Sequence, residues 1–100
     1  MRLLRSTTFQ QWLADLKDEK ARGIIAARLF RLQQGLQGDV GAISQGISEL
    51  RIHHGPGYRI YFHRHGSTII VLLCAGPKST QSRDIAKAKD ILKDWRPDDA

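Results

Sequence analysis

The chain has 100 residues, of which 41% are hydrophobic and 26% charged, as is typical of one small globular domain. We therefore expect a single domain over residues 1–100. The longest apolar run, residues 69–75, is far shorter than the roughly 20 residues that a membrane helix needs. The residues after Met1 contain no apolar signal-peptide core, and the single cysteine, Cys74, excludes an internal disulfide framework. We expect a cytoplasmic protein without a membrane partner.

The charge balance carries more information about function. Lys and Arg together number 16 and Asp and Glu number 10, which gives a formal net charge of +6 and an isoelectric point near 10.0. Ten of the basic residues are arginines, whose planar guanidinium matches the geometry of phosphate. This balance indicates a polyanion or an acidic protein as partner, with a soluble domain that merely has a basic surface as the alternative.

The first third of the chain predicts an edge strand followed by a helical hairpin. Residues 1–6 are short and partly apolar, as in an edge strand. Thr8 is the expected N-cap of the first helix, with Gln11 completing a capping box. A second helical stripe begins beyond residues 18–20 and stops at Gly35, a typical residue just after a helix end.

The rest of the chain predicts an antiparallel sheet and a final helix. A short strand is expected near Val40–Ile43, and three more over Ile47–His53, Tyr58–His65 and Thr68–Ala75. Ser79 or Thr80 caps the last helix, which ends at Pro97. The predicted fold is an α+β sandwich: an N-terminal strand and helical hairpin, a three- to four-stranded antiparallel sheet, and a C-terminal helix.

Strand alternation places polar side chains together on one face of the predicted sheet. In the predicted hairpin register this face carries Arg51, His53, Arg59, Tyr61 and His63, and Lys78 and Gln81 close it at one end. We expect a face of this composition to stay free of helices and to hold an RNA backbone, with the tyrosine stacking on a base. The alternative is an ordinary solvated sheet face, on which these residue types are common.

Metal and cofactor sites are not predicted. The four histidines come with no acidic residue at ligand spacing, and no carboxylate cluster is expected beside Arg51 and Arg59. Cys74 lies in the apolar strand and is expected to be an inert core residue.

Several motifs together resemble the RelE/ParE toxin superfamily, and most of all its HigB-like, phage-derived addiction module killer branch. The resemblance covers nearly the whole chain. It rests on Trp12-Leu13-x-x-Leu16, Arg28-Leu29-x-x-Leu32, Gly38-Asp39, Gly46-Ile47-x-Glu49-Leu50-Arg51-Ile52, Gly55-Pro56-Gly57-Tyr58-Arg59-Ile60-Tyr61-Phe62 and Gly76-x-Lys78-x-x-Gln81-x-x-Asp84-Ile85.

The resemblance implies the toxin of a type II toxin–antitoxin pair, with a helix-turn-helix antitoxin as partner and messenger RNA on the ribosome as substrate. It implies a metal-independent endoribonuclease without a cofactor, in which the ribose 2′-OH attacks the adjacent phosphate. The implied catalytic residues are Arg59, Arg51 and Lys78, with His53, His54 and Tyr61 as acid–base candidates. The expected RNA contacts are Tyr61, His63, Gln81 and Arg83.

Two other functions remain open within the same resemblance. A ParE-like chain of this fold inhibits DNA gyrase by binding it, without catalysis, and a basic binding module has no toxicity at all. RelE-like relatives often end in a tyrosine that takes part in the chemistry, whereas this chain has no tyrosine after Tyr61. The clustered arginines, histidine and lysine favour the nuclease, since a gyrase inhibitor needs no convergent catalytic face.

Overall fold

The computed structural model describes residues 1–97 and confirms an α+β fold built on one five-stranded sheet. The sheet order is β1-β5-β4-β3-β2, with β1 parallel to β5 and all other neighbours antiparallel. No helix in this range is long and apolar enough to cross a membrane. The elements are β1 (Arg2–Arg5), α1 (Thr7–Asp15), α2 (Glu19–Gln33), β2 (Val40–Ser44), β3 (Ile47–Ile52), β4 (Tyr58–His65), β5 (Ile69–Pro77), a 3₁₀ turn (Lys78–Thr80) and α3 (Gln81–Asp94).

Helices cover both faces of the sheet. On one face, α1 and α2 pack on the alternate residues Leu50, Ile52, Ile60 and Phe62. On the other face, which we call the α3 side, Ala88 and its neighbours on α3 pack against Ile47, Tyr61, Val71 and Leu73. The expectation that the face carrying Arg51, Arg59 and Tyr61 stays free of helices is therefore wrong, because the apolar residues of β5 on the same face bind α3.

The helix ends follow local hydrogen bonding, with one departure from the sequence expectation. Ser6, not Thr8, is the N-cap of α1, and its Oγ accepts from the Phe9 N–H at 2.9 Å. Ser6 Oγ also lies 2.5 Å from the Leu73 carbonyl, so the end of β1 and the start of α1 are fixed by one side chain. Gly35 ends α2 as predicted: it has φ +88°, and the Leu36 N–H donates to the Arg31 carbonyl at 2.8 Å.

The strand register on the α3 side agrees with the predicted hairpin. Arg51 pairs with Arg59, and Glu49 pairs with Tyr61. β5 continues to Pro77, and the 3₁₀ turn that follows leads directly into α3. Thr80 occupies the N-cap position of α3 but makes no side-chain cap bond; its Oγ1 instead donates to Asp84 Oδ2 at 2.6 Å. The start of α3 therefore lies beside the ends of β3, β4 and β5.

Candidate functional site

Two arginines share one buried carboxylate where β3 and β4 approach the turn at residues 53–57. Arg51 Nε donates to Glu49 Oε1 at 3.1 Å, and Arg59 Nε lies 3.9 Å from Glu49 Oε2. Glu49 is 4% exposed and Arg59 7%. A buried charge is stable only when it is paired, so Glu49 and Arg59 stabilise each other. Glu49 also holds the partly exposed Arg51 through its hydrogen bond.

The first turn of α3 completes this cluster. Gln81 Nε2 donates to Glu49 Oε2 at 2.9 Å, which joins α3 to the sheet. A Cβ at Gly57 would lie 3.7 Å from Lys78 Cβ and 3.8 Å from Arg59 Nη1, so both side chains flank this glycine. We call Glu49, Arg51, Arg59, Lys78 and Gln81 the arginine–glutamate cluster. Four of its five members are residues that the sequence placed at this site.

Asp39, just before β2, extends the cluster to His53. Arg51 Nη1 donates to Asp39 Oδ1 at 2.9 Å, and His53 Nε2 lies 2.5 Å from Asp39 Oδ2. The hydrogen bonds from His53 and then Arg51 lower the pKa of Asp39, and Asp39 and then Glu49 raise the pKa of Arg51. The Arg51 guanidinium also lies across Gly41, where a Cβ would overlap with it. His53 is therefore oriented through Asp39 and remains exposed.

His54 is not part of the cluster, although the sequence placed it there. Its Nε2 lies 3.1 Å from Asp18 Oδ2, and Asp18 is the N-cap of α2. The pKa of Asp18 is lowered first by the backbone hydrogen bond from Ala21 and then by His54. His54 thus connects the turn at residues 53–57 to the start of α2.

The other three expected RNA contacts fall in different surroundings. Tyr61 is 0% exposed beneath α3, so the expectation that its ring stacks on a base is wrong. Burial, followed by the charge of Glu49, raises the pKa of Tyr61 above its ordinary value. His63 lies at the far end of β4, where Nδ1 is 2.8 Å from the Gly46 carbonyl and the ring is 6.0 Å from Trp95. Arg83 is exposed and, with Lys78 and Gln81, lines a pocket of about 480 Å³.

Comparison with known proteins places the chain in a family. Residues 11–93 match the family described as "Phage derived protein Gp49-like (DUF891)". The chain belongs to the Gp49-like phage-derived family. A Haemophilus influenzae protein, described as an "Uncharacterized protein", is 45% identical over 87 residues, which make up 87% of this chain and 88% of that protein. The Gp49-like family is one of addiction-module killer and RelE-like proteins, so membership is consistent with a toxin–antitoxin module.

Two carboxylates of this Gp49-like chain were missed as site residues. Glu49 shares its sheet face with Arg51 by simple alternation, so the sequence held the signal for it. Asp39 reaches Arg51 only because β2 pairs with β3, in the register Val40 with Leu50, which no local pattern specifies. Glu49 and Asp39 thus place two carboxylates beside the arginines, contacts that were not predicted from the sequence. Within residues 1–97, no three His, Cys, Asp or Glu side chains converge as metal ligands.

The cluster of the Gp49-like protein is suited to binding an anion. Arg51 and Arg59 pair with the carboxylates of Glu49 and Asp39, and the exposed Lys78 beside Gly57 adds a third positive charge, so that these five side chains carry one net positive charge. Arg59 Nε is buried and has no hydrogen-bond partner within residues 1–97. The pocket lined by residues 78–83 opens at the start of α3, where backbone N–H groups favour negative charge. A phosphate at this edge would meet guanidinium, ammonium and backbone donors together.

Proposed function

We propose that this chain is the toxin of a type II toxin–antitoxin pair and that it cleaves messenger RNA on the ribosome. The observation that carries the proposal is the meeting of Arg51, Arg59 and Lys78 at one end of the sheet. Membership in a family of addiction-module killer and RelE-like proteins supports the toxin role. The partners proposed are a helix-turn-helix antitoxin and translated messenger RNA in the cytoplasm.

In the proposed site, the arginines bind the scissile phosphate. The Arg59 guanidinium is held by burial, by Glu49, and by the Tyr58 carbonyl, which lies 3.3 Å from Nη1. Arg51 is more exposed and stays oriented by Glu49 and Asp39. Donors that are already fixed stabilise the charge of the pentavalent phosphorus without further reorganisation. Gln81 positions Glu49, and the exposed Arg83 contacts the RNA backbone beyond the cluster.

Proton transfer is assigned to His53 and Lys78. Asp39 holds Nε2 of His53, which leaves Nδ1 to accept the proton of the ribose 2′-OH. The 2′-oxygen then bonds to phosphorus, the bond from phosphorus to the 5′-oxygen breaks, and Lys78 donates a proton to that oxygen. The products are a 2′,3′-cyclic phosphate and a 5′-OH. Each step uses a side chain of this protein, so the proposed scheme needs no metal or cofactor.

Induction of the chain, with mapping of RNA ends on one translated message, tests this proposal. Arg59→Lys keeps a positive charge beside Glu49 but loses the guanidinium fork, so we expect cleavage to fall by about 100-fold or more. Arg64→Lys is the matched control, since Arg64 is an exposed arginine on the same strand, and it should cleave like the parent chain. Full cleavage by a folded Arg59→Lys protein would show that the Arg59 guanidinium does not take part in cleavage.

The same experiment separates the nuclease from the two alternatives. Intact messages together with gyrase trapped on cleaved DNA would identify a ParE-like inhibitor. Normal growth on induction would indicate that the chain is a basic binding module without toxicity. Cleavage by purified protein on ribosomes, in EDTA titrated to spare ribosomal magnesium, tests the metal-free scheme directly.

The histidines give a second, independent test of the proton-transfer step. His53→Ala should lower cleavage strongly, whereas His65→Ala, at the distant β4–β5 turn, should cleave normally. His54→Ala should lower the melting temperature, because the contact with Asp18 is lost. Its effect on cleavage should be small. Normal cleavage by His53→Ala would leave Lys78 as the main acid–base candidate.

A further inference from the structure

Two large apolar side chains of residues 1–97 are exposed at the C-terminal end of α2. Phe30, in the last turns of α2, is 62% exposed, and Leu36, just after the helix, is 63% exposed. The backbone of Leu36 is held against the last turn of α2, because its N–H donates to the Arg31 carbonyl at 2.8 Å. Exposed apolar side chains that form one contiguous patch mark an interaction surface.

The outward positions of α2 are apolar for two turns before Phe30. Gly23, Ala26 and Ala27 are all exposed, and helical spacing aligns them with Phe30. Nothing lies within 4 Å of a Cβ placed at Gly23, so no contact within residues 1–97 requires a glycine there. Glycine weakens a helix interior but lets another backbone approach closely. A helix that has an exposed apolar stripe besides its buried face offers a second surface on which another helix can pack.

The charges around this surface are positive. Lys20, Arg22 and Arg31 are exposed on α2, against the single acidic residue Glu19. Arg31 also lines, with Arg28, Leu36, Gly38 and Asp39, a pocket of about 380 Å³. A second copy of this chain, packed through a two-fold axis, would bring like charges together. The charge therefore favours an acidic partner over self-association.

We propose that Gly23, Ala26, Ala27, Phe30 and Leu36, the outer face of α2, bind an amphipathic helix of the antitoxin. The apolar stripe of that helix covers Phe30 and Leu36, and acidic residues beside the stripe pair with Arg31 and Lys20. This inference rests on the proposed function for the identity of the partner.

The docking surface is connected to the arginine–glutamate cluster through Asp39 and Arg28. The pocket beside Leu36 includes Asp39, which binds both Arg51 and His53. On the same helix, Arg28 Nη1 donates to the Arg51 carbonyl at 3.0 Å. An acidic partner side chain in this pocket competes with Asp39 for Arg51 and His53 and so disturbs the orientation of His53.

The test measures binding of the purified chain to the protein encoded by the adjacent reading frame, and growth with and without that protein. Phe30→Glu should weaken binding by about 100-fold and abolish neutralisation, while toxicity without the partner stays that of the parent. Arg31→Glu should weaken binding by about tenfold, and less so at high salt. Arg64→Glu is the matched control for charge reversal and should bind normally. Equal melting temperatures show that each variant is folded.

Each contrary outcome has its own meaning. Parental binding by Phe30→Glu overturns the docking surface, as does hydrogen-exchange protection confined to residues 51–59 on complex formation. A parental dimer that Phe30→Glu converts to a monomer identifies a second copy as the occupant and also overturns the proposal. Absence of binding by the parent chain overturns it as well. Failure of the proposed function is recognised separately, because it appears as absent toxicity of the parent chain without the partner.

Discussion

The two ends of the α3 side of the sheet are built from the same strands but behave differently. At one end, Arg51 and Arg59 surround Glu49 just beyond the start of α3. At the other, Ile47, Val71 and Leu73 are sealed under the body of α3. Strand alternation assigns a residue to a face, whereas the position of the covering helix decides whether that residue is core or site. The boundary between the two ends lies at Tyr61.

The largest effect is expected at the apolar end. Leu73→Ala removes a fully buried side chain between the sheet and α3. We expect the free energy of unfolding to fall by about 2–5 kcal/mol, from lost transfer energy and the cavity left behind. Chemical denaturation measures this loss. A change below about 1 kcal/mol would show that α3 does not seal this end as tightly as described.

At the polar end we expect a smaller loss of stability, which arises from the contacts of Glu49 with the two arginines. Glu49→Gln removes the charge that both arginines share while keeping the side-chain shape. We expect the free energy of unfolding to fall by about 1.5–3 kcal/mol, the range for hydrogen bonds to charged groups. The exposed Glu19→Gln is the matched control and should lie within about 0.5 kcal/mol of the parent. Equal stability of the two variants would mean that Glu49 does not hold the arginines.

At the boundary, removal of the Tyr61 hydroxyl should not destabilise the protein. The Tyr61 hydroxyl is buried and has no hydrogen-bond partner within residues 1–97. Tyr61→Phe should therefore leave stability unchanged or raise it by up to about 1 kcal/mol. It should also retain cleavage in the RNA assay. A clear loss of stability would reveal that the hydroxyl has a partner, such as a buried water shared with the cluster.

The smallest effect is expected at the exposed rim and concerns pH. The hydrogen bonds from His53 and then Arg51 lower the pKa of Asp39 below the ordinary value of an aspartate. A depressed carboxyl pKa contributes stability that is present above the unfolded-state pKa and is lost as pH falls through the folded-state pKa. Melting temperatures of Asp39→Asn and the parent should therefore differ most above the ordinary aspartate pKa and converge only as pH falls through the lowered pKa of Asp39. Asp94→Asn, on α3, serves as control, and a constant difference across pH would contradict the assignment.

Much of this arrangement could be predicted from the sequence, because it follows from local patterns. The β3–β4 hairpin register, the end of α2 at Gly35 and the apolar stripe of α3 each depend on residues close in the chain. These patterns also brought together Arg51, Arg59, Lys78 and Gln81.

The errors came from contacts between distant segments. Packing of α3 decides that Tyr61 is buried, and pairing of β2 with β3 decides that Asp39 reaches Arg51. His54 was misplaced because its partner, Asp18, lies 36 residues away at the start of α2. Ser6, and not Thr8, is the N-cap of α1 because the Ser6 hydroxyl also contacts the Leu73 carbonyl of β5, which is again a long-range contact.

The parallel pairing of β1 with β5 has a consequence for synthesis of the protein. Ser6 bonds to Leu73 across 67 residues, and Arg2–Arg5 pair with residues 69–72. At translation rates of about 5–20 residues per second, the first strand waits several seconds for its neighbour. Gln81, which joins α3 to Glu49, emerges later still. The nascent chain therefore completes its sheet and its arginine–glutamate cluster only after Gln81 has been synthesised.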